Sequence, residues 1–171
     1  MIWTRPLRPT RFTASFSIWM GEGNGADGMT FGMFEAAAEL PGATGGALGA
    51  FLEPGLAIEF DTYQNIDIEE FVLELDGSPN HIGIDDTGTG TSFATSDDVP
   101  DLSCACWLPV EASFDCGRFE VSVDGRPPLV HAIDSFEPFD AVLAFTASTG
   151  GSTDVHAVGD VAIEVDESAC P

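Results

Sequence analysis

The sequence predicts an all-β protein, an antiparallel sandwich or barrel around one core. Short runs rich in β-branched and aromatic residues alternate with clusters of Gly, Pro, Asp, Asn and Ser, as expected of strands joined by turns. The chain has 171 residues, and a domain of this length buries about 70% of the surface of its unfolded chain. We therefore expect residues 1–171 to form a single domain.

The expected strands are apolar runs bounded by turn residues. They are Phe12–Trp19, Met29–Phe34, Leu48–Leu52, Leu56–Thr62, His81–Asp85, Phe119–Val123, Ala141–Ser148 and His156–Val165. The one short helix expected is Met33–Leu40. The VDGR stretch at Val123–Arg126 predicts a hairpin turn, because Asp-Gly tolerates the positive φ that a tight turn needs. Residues 85–101 are polar and turn-rich, which predicts a surface loop or a weak strand with loops at both ends.

Charge narrows the range of partners. The chain has 29 acidic residues against 5 basic ones, all Arg, for a net charge of -24. Such a chain has no basic patch for nucleic acid and is repelled by anionic membrane surfaces. No apolar run is long enough to insert in a bilayer, and the start, MIWTRPLRPT, lacks the apolar core of a signal peptide. We expect most of the carboxylates to form a solvated surface.

The four cysteines predict disulfides and therefore an oxidising, extracellular or secreted location. Cys104 and Cys106 are too close to pair easily in an extended chain. We therefore expect one of them to pair with Cys116 and the other with Cys170. Zinc is disfavoured, because no CxxC pair and no Cys/His spacing of a zinc site is present.

The stretch LAIEFDTYQN, residues 56–65, places two carboxylates on one face of a predicted strand. Side chains alternate between the two faces of a strand. Ile58, Phe60 and Thr62 point one way, and Glu59, Asp61, Tyr63 and Asn65 point the other. Two desolvated carboxylates without a partner would cost several kcal/mol, and a divalent cation is the simplest counter-charge.

A second stretch, DGSPNHIGID, supplies further ligands in Asp76 and His81. If its strand lies beside the first, three carboxylates and one imidazole meet, which suits a transition ion such as Mn²⁺. Neighbouring carboxylate, amide and carbonyl oxygens suit Ca²⁺. Taken singly, a Glu-x-Asp strand is usually a solvated sheet face and a lone His a hydrogen-bonded core residue. The joint pattern is what favours metal.

Together, GLAIEFDTYQN and DGSPNHIGID resemble the metal-binding segment of legume-type (L-type) lectins and their bacterial relatives. The family pattern is an ExDxxxN strand, then an Asp five residues before the His of a HIGID-like strand. By this resemblance, Glu59, Asp61, Asp76 and His81 would hold Mn²⁺ or another divalent transition ion. Ca²⁺ would be held by Asp61, the Tyr63 carbonyl, Asn65 and Asp76.

Three further segments resemble the same family, in the same order along the chain. GADGMTF resembles the first sugar loop, which implies that Asp27 binds sugar and that the Ala26–Asp27 peptide is cis. GGALGAF resembles the second loop and implies a backbone N–H donor at Gly46. AFTASTGGSTDVHAV resembles the last loop and places Gly151 and Ser152 near the sugar. The resemblance covers residues 12–162 and implies a concanavalin-like antiparallel β-sandwich, or jelly roll.

The chain departs from the family pattern in several places. The loop between Asn65 and Asp76 is longer than in plant members, and Gly77 stands where the family often has Pro. Family members usually have strand material ahead of WTRPLRPTRFTASF, so we expect the N-terminal strand of the back sheet to be missing, shortened or replaced by the C-terminal strand. Residues 92–119 match poorly, and we expect a local disulfide to replace sheet there.

The resemblance implies metal-dependent carbohydrate binding without catalysis. Asp27 would accept hydrogen bonds from sugar hydroxyls, the Gly46 N–H and the Asn65 amide would donate, and the Tyr63 ring would pack on the sugar. The expected partners are glycans or glycoconjugates, bound by a homo-oligomer or by part of a larger chain. Two alternatives remain: an adhesion or structural module that binds no sugar, and a glucan hydrolase of the same fold. Such hydrolases use a second Glu on the Glu-x-Asp strand, and Thr62, Tyr63 and Gln64 follow here instead.

Overall fold

The computed structural model of the protein describes residues 1–64 and 78–170, and within these residues ten strands form two antiparallel sheets. The strands are β1 Arg11–Gly21, β2 Gly28–Glu35, β3 Gly55–Asp61, β4 His81–Asp86, β5 Thr91–Ser96, β6 Cys106–Asp115, β7 Arg118–Val123, β8 Leu129–Ala132, β9 Ala141–Ser148 and β10 Val155–Asp166. The front sheet has the order β5-β4-β3-β2-β9, and the back sheet has the order β10-β1-β6-β7-β8. The predicted all-β antiparallel sandwich is confirmed.

The core lies between the two sheets and is rich in aromatic residues. Every second residue of β1 is buried, from Phe12 to Met20, as the two-residue period of a strand requires. From the front sheet, Phe31 and Phe145 face them, and the Phe145 ring lies 4.8 Å from that of Phe16. Burying one such side chain stabilises the fold by about 1.5–3 kcal/mol, so this cluster fixes how the sheets stack. No helix within the described ranges is long and apolar enough to cross a membrane.

Two expected elements are wrong. Leu48–Leu52 is not a strand: a 3-10 turn, Gly45–Ala47, precedes it, and Leu48 and Leu52 have φ values of 50° and 74°. Leu48, Ala50 and Phe51 are buried because this loop folds over the outer face of the front sheet, whereas Leu52 is exposed. The apolar pattern therefore indicated burial of most of the stretch rather than extension. Met33–Leu40 is not a helix, because its first residues pair with both neighbouring strands as the end of β2.

Two strands, β6 and β8, were not expected, and β5 was expected only as one of two alternatives. β6 contains a Pro, which normally argues against a central strand. Pro109 lies one residue beyond the last pair of the β6–β7 ladder, at Val110, so its missing N–H leaves no pairing to β7 unmade. Short β8 was missed too, and β5 realises the weak-strand alternative for residues 85–101. The VDGR turn is confirmed, with positive φ at Asp124 and Gly125.

The disulfides form, but not in the expected pairing. Cys104 bonds to Cys106, and Cys116 bonds to Cys170. The expectation assumed extended chain at the first pair. Instead Ala105 has a φ of 50°, which curls the chain and brings the two Cα atoms to 5.2 Å. Residues 92–119 also contribute β6 and most of β5, so the local disulfide accompanies sheet rather than replacing it.

The sheet edges follow one of the expected arrangements. The C-terminal strand β10 forms the edge of the back sheet, where it pairs with β1 along both strands. The segment ahead of β1 lies along β9 of the front sheet, where Ile2 bridges to Ala144 and Leu7 to Ala141.

Candidate functional site

The candidate site lies at one end of the front sheet. Because adjacent strands run antiparallel, β2 and β4 begin at the end where β3 and β9 finish. Asp61 lies beside both Gly28 and His81, and Gly28 lies beside Ser148. Neighbouring strands are about 4.8 Å apart, so these four residues and the loops that follow them form one compact region.

The predicted alternation on β3 is confirmed. Ile58 and Phe60 belong to the core, whereas Glu59 contacts His81 on the opposite face. Both side chains in that contact are buried, and Glu59 Oε1 lies 2.9 Å from His81 Nε2. His81 Nδ1 lies 3.0 Å from the Ser78 carbonyl and donates to it, since a carbonyl can only accept.

The Nδ1-protonated tautomer of His81 matters for the predicted metal ligands. With its proton on Nδ1, a neutral His81 would turn a lone pair on Nε2 toward the Glu59 carboxylate. Such a contact needs a proton or a cation between the two atoms, so the donor chemistry fits a divalent ion. Within residues 1–64 and 78–170, however, no group of three or more His, Cys, Asp and Glu side chains has an arrangement that could hold a metal. Two predicted ligands, Asn65 and Asp76, lie outside the described residues.

Gly83 makes the Glu59–His81 contact possible. It faces Glu59 across the β3–β4 ladder, and a Cβ added to it would lie 2.6 Å from Glu59 Oε1. The carboxylate therefore crosses β4 where there is no side chain to block it. Asp61, two residue pairs nearer the end of the ladder, accepts a 2.6 Å hydrogen bond from the Tyr63 N–H. That bond turns the chain out of β3 and leaves the Tyr63 ring exposed.

Asp27 is anchored by its backbone and buried. The Ala26–Asp27 peptide is cis, as the resemblance implied. The Asp27 N–H donates to the Ser148 carbonyl at 3.1 Å, and its carbonyl accepts from both the N–H and the hydroxyl of Thr62. The residue is 4% exposed, and Oδ2 has no hydrogen-bond partner among the described residues. Burial raises the pKa of the Asp27 carboxyl.

The loop that contains Gly46 is tied to β9 by two hydroxyls. The Ser148 hydroxyl donates to the Gly45 carbonyl at 2.6 Å, and the Thr146 hydroxyl donates to the Leu48 carbonyl at 2.8 Å. The Thr146 hydroxyl is also 2.7 Å from that of Thr30 on β2. Gly46 lies between these two fixed carbonyls, beside the loop of Asp27.

The last loop reaches the carboxylate through a glycine that the sequence reasoning missed. A Cβ built on Gly150 would lie 3.3 Å from Asp27 Oδ2 and 3.5 Å from the Gly45 Cα. Gly150 therefore lies beside both the Asp27 carboxylate and the Gly45 backbone, so the three loops come close together here. The predicted residues Gly151 and Ser152 follow directly, and the Ser152 carbonyl accepts a 3.1 Å bond from the Gly150 N–H. Thr62 and Gly150 carried no signal in the sequence, since their roles depend on chain segments distant from them.

The bases of the first and last loops are joined to each other. The Asn24 N–H donates to the Thr153 carbonyl at 2.9 Å, and the Thr153 N–H donates to Asn24 Oδ1 at 2.7 Å. The Asp154 carboxylate accepts from the Gly23 N–H and from the Ser103 hydroxyl, each at 2.8 Å. These bonds hold the walls around Asp27 without any basic residue, since none of the five Arg belongs to these loops.

The comparisons with known proteins bear on the fold. No protein-family model and no curated protein matches the chain. Among solved structures, it is similar to peanut lectin, with 22% identity, a TM-score of 0.74 and coverage of 96% of this chain and 80% of that one. It is also similar to the lectin from Bauhinia forficata in complex with GalNAc, with 22% identity, a TM-score of 0.70 and coverage of 96% and 78%.

A third similar structure is the lumenal domain of VIP36 in its Ca²⁺- and mannose-bound form. Its identity is 17%, its TM-score is 0.72, and the match covers 98% of this chain and 73% of that one. The chain therefore has the L-type lectin fold, the concanavalin-like sandwich, which confirms the expected architecture.

Proposed function

We propose that the protein is a carbohydrate-binding module, a lectin that holds sugar at Asp27 without catalysis. The observation that carries the proposal is the Asp27 carboxylate, buried where three loops meet, with Oδ2 unpartnered among the described residues. A buried acceptor without a donor costs about 1–3 kcal/mol. A sugar hydroxyl that donates to it recovers this cost through a charge-assisted bond. The GalNAc and mannose complexes of the similar lectins support the same ligand class.

Neighbouring residues complete the proposed sugar site. The Gly46 N–H donates to a sugar oxygen from a loop fixed by Ser148 and Thr146. The Tyr63 ring, 40% exposed, packs on the apolar face of the sugar. Gly151 and Ser152 contact it from the last loop, and the Asn65 amide supplies a further donor. Because the described loops are held before ligand arrives, little ordering cost falls on binding.

We propose that metal ions organise this end of the sheet. Glu59, Asp61, Asp76 and His81 would hold Mn²⁺ or another transition ion, and Asp61, the Tyr63 carbonyl, Asn65 and Asp76 would hold Ca²⁺. The buried Glu59–His81 contact and the Ca²⁺-bound form of VIP36 support this assignment. When bound, the cations would supply the positive charge that this acidic region lacks.

The setting proposed for this activity is extracellular, with glycans or glycoconjugates as partners. Two disulfides support an oxidising compartment. A shallow sugar site gains avidity from several copies, so we expect a homo-oligomer or a larger parent chain.

A glycan array tests the function and separates it from its alternatives. It is run with Ca²⁺ and Mn²⁺ and then repeated after chelation. We expect binding to a subset of glycans that is lost on chelation. Binding that survives chelation would refute the metal-organised site. Silence across the array from folded, metal-loaded protein would favour an adhesion module, and release of reducing ends from β-glucans would indicate a hydrolase.

A further inference from the structure

Cys104 and Cys106 form a disulfide at the surface, where β6 begins. Cys106 and the intervening Ala105 are exposed, and Cys104 is half-buried. Both members of the second disulfide, Cys116 and Cys170, are half-buried. A thiolate must reach a disulfide sulfur in order to break the bond, and exposed disulfides are the ones that take part in redox reactions. The short disulfide is therefore the better placed of the two for thiol–disulfide exchange.

The short disulfide also fixes the backbone of the residue inside it. Ala105 has a φ of 50°, in the left-handed region that is unfavourable for a residue with a Cβ. Two residues of extended chain span about 6.6 Å. The Cα atoms of Cys104 and Cys106 are only 5.2 Å apart. Breaking the sulfur–sulfur bond would therefore let this segment relax toward extended chain.

The residue ahead of the disulfide braces the loops around Asp27. The Ser103 hydroxyl donates to Asp154 Oδ2 at 2.8 Å, and Asp154 Oδ1 accepts from the Gly23 N–H at 2.8 Å. Gly23 belongs to the loop that leads to Asp27, and Asp154 ends the last loop. One carboxylate therefore joins the first loop, the last loop and the segment of the disulfide.

The same segment is attached to both sheets. The Ala105 N–H donates to the Met20 carbonyl at 2.9 Å, and a Cβ added to Gly21 would lie 2.7 Å from the Ala105 Cα. The curled chain therefore rests directly on the end of β1, where the first loop begins. On the other side, the Leu102 N–H donates at 2.8 Å to Oδ1 of Asn80, the residue before β4. A movement of this segment can reach the sugar loops and the strand of the candidate metal ligands.

We propose that Cys104–Cys106 is a redox-active disulfide, opened by dithiol reductants, and that its opening weakens sugar binding at Asp27. The redox reaction needs no sugar, whereas its effect on affinity rests on the proposed function.

The reaction is a two-electron exchange with the dithiol. A thiolate of the reductant attacks the Sγ of exposed Cys106, the sulfur–sulfur bond breaks, and Cys104 leaves as a thiolate that takes up a proton. The second thiol of the reductant then attacks its own sulfur in the mixed disulfide, and Cys106 is released as the second thiol. The protein disulfide is reduced, and the dithiol is oxidised to a cyclic disulfide.

Reduction acts on the sugar site through the contact between Ser103 and Asp154. Once the bond is broken, Ala105 leaves the left-handed region, and Ser103 is drawn away from the Asp154 carboxylate. The acceptor of the Gly23 N–H is then no longer held in place. The loop of Asp27 must be ordered when sugar arrives, and this ordering lowers the affinity.

The first experiment tests the redox reaction without sugar. Wild-type protein is equilibrated in graded mixtures of reduced and oxidised dithiothreitol, its thiols are alkylated with iodoacetamide, and peptide mass spectrometry measures the label on each cysteine. We expect label on Cys104 and Cys106 at ratios that leave Cys116 and Cys170 unlabelled, with the circular dichroism of folded protein. Label that reaches Cys116 and Cys170 first, or all four cysteines together, would overturn the proposal.

The second experiment measures the affinity for the best-binding glycan by calorimetry. Oxidised and reduced wild type are compared after the reductant has been removed without air and the metals have been restored. We expect reduction to weaken binding about fivefold or more, and Cys104→Ser/Cys106→Ser to bind as the reduced protein does. Equal affinities for the oxidised and reduced wild type would overturn the proposal, whether or not the serine variant folds.

Ser103→Ala separates the proposed route from a general loss of structure. It removes the brace while the disulfide stays closed, so we expect the same loss of affinity and little further loss on reduction. Ser113→Ala is the matched control, since Ser113 lies toward the other end of β6, opposite Thr13, and should bind within about twofold of the wild type. If Ser103→Ala binds as the wild type does, the route is wrong. If the oxidised wild type binds no sugar, the proposed function fails, and the labelling experiment alone decides the redox activity.

Discussion

Thr62 donates two hydrogen bonds to the carbonyl oxygen of Asp27, one from its backbone N–H and one from its hydroxyl. The donor–acceptor distance is 2.9 Å in each. The two donors come from the residue that follows β3, and the acceptor belongs to the residue that precedes β2. This pair therefore joins the strand that carries the candidate metal ligands to the loop that carries the candidate sugar ligand. A change on one side can reach the other through a single side chain.

The first prediction tests the hydrogen bond from the Thr62 hydroxyl to the Asp27 carbonyl. Thr62→Val keeps the shape of the side chain and removes the hydroxyl, so the buried Asp27 carbonyl loses one of its two donors. We expect a loss of about 0.5–1.5 kcal/mol in the free energy of unfolding, measured by urea denaturation, and weaker sugar binding. Thr62→Ser retains the hydroxyl and should restore most of both. A valine variant with unchanged stability and affinity would show that the hydroxyl does not hold the loop.

The second prediction concerns Gly83. In Gly83→Ala the methyl group would lie 2.6 Å from Glu59 Oε1, so the carboxylate must leave His81. We expect a loss of about 1–3 kcal/mol in the free energy of unfolding and a marked loss of bound Mn²⁺ by inductively coupled plasma mass spectrometry. Gly151→Ala, where the space is open, is the matched control. Full metal content in Gly83→Ala would argue against Glu59 and His81 as ligands.

The third prediction separates the two disulfides. Cys104–Cys106 closes a loop with a sequence separation of 2, and Cys116–Cys170 closes one with a separation of 54. On chain entropy, the first contributes about 1.5 kcal/mol and the second about 4 kcal/mol. Paired Cys→Ser variants should therefore differ strongly in urea denaturation, with Cys116→Ser/Cys170→Ser the less stable. An equal or reversed order would show that the short loop braces the fold by contacts rather than by entropy.

The fourth prediction follows from the buried carboxyl. Burial raises the pKa of Asp27 above its ordinary value of 3.8. The folded state then holds this proton more tightly than the unfolded chain does. The free energy of unfolding therefore falls as the pH rises from 3.8 through the raised pKa of Asp27. Sugar binding uses the ionised form and should strengthen over the same pH range. Calorimetric titrations at several pH values check this, with metal content measured at each. Affinity independent of pH above 3.8 would contradict ionisation of Asp27 in that range.

The fifth prediction uses the net charge of -24. Among the described residues, contacts such as that of Arg118 with Glu120 are solvent-exposed and offset little of the repulsion. Raising the salt from about 0.1 M to about 1 M shortens the screening length from about 10 Å to about 3 Å. We expect the melting temperature to rise by several degrees in NaCl, and by less in sucrose of equal osmolarity. A melting temperature insensitive to salt would mean that the carboxylates are too well separated to destabilise the fold.

Local pattern was enough to predict the sandwich and most of its strands. The alternation at Ile58 to Asp61 separated a core face from a polar face before any contact was known, and the structure has both. Local pattern failed where contacts with distant parts of the chain determine the local structure. Leu48 is buried in a loop that folds over the front sheet, and β6 carries Pro109 one residue beyond the end of its ladder with β7.

The residues of the candidate site also fall into two groups, those that a sequence motif predicts and those that none does. Asp27, Glu59 and His81 stand in motifs that could be read along the chain, and the structure gathers them at one end of the front sheet. Thr62 and Gly150 could not be found by pattern, because a threonine after a strand and a glycine in a glycine-rich loop are common. Their importance depends on an atom of Asp27, more than thirty residues away in the chain.

The most direct test of sugar binding at Asp27 compares the wild-type protein with Asp27→Asn. The substitution keeps the size of the side chain and removes its charge, and Asp134→Asn at an exposed position is the control. Affinity for the best glycan is measured by calorimetry on metal-loaded protein. We predict that Asp27→Asn loses at least about tenfold in affinity, with metal content and fold unchanged, while Asp134→Asn binds as the wild type does. Equal affinity for all three proteins would contradict the account.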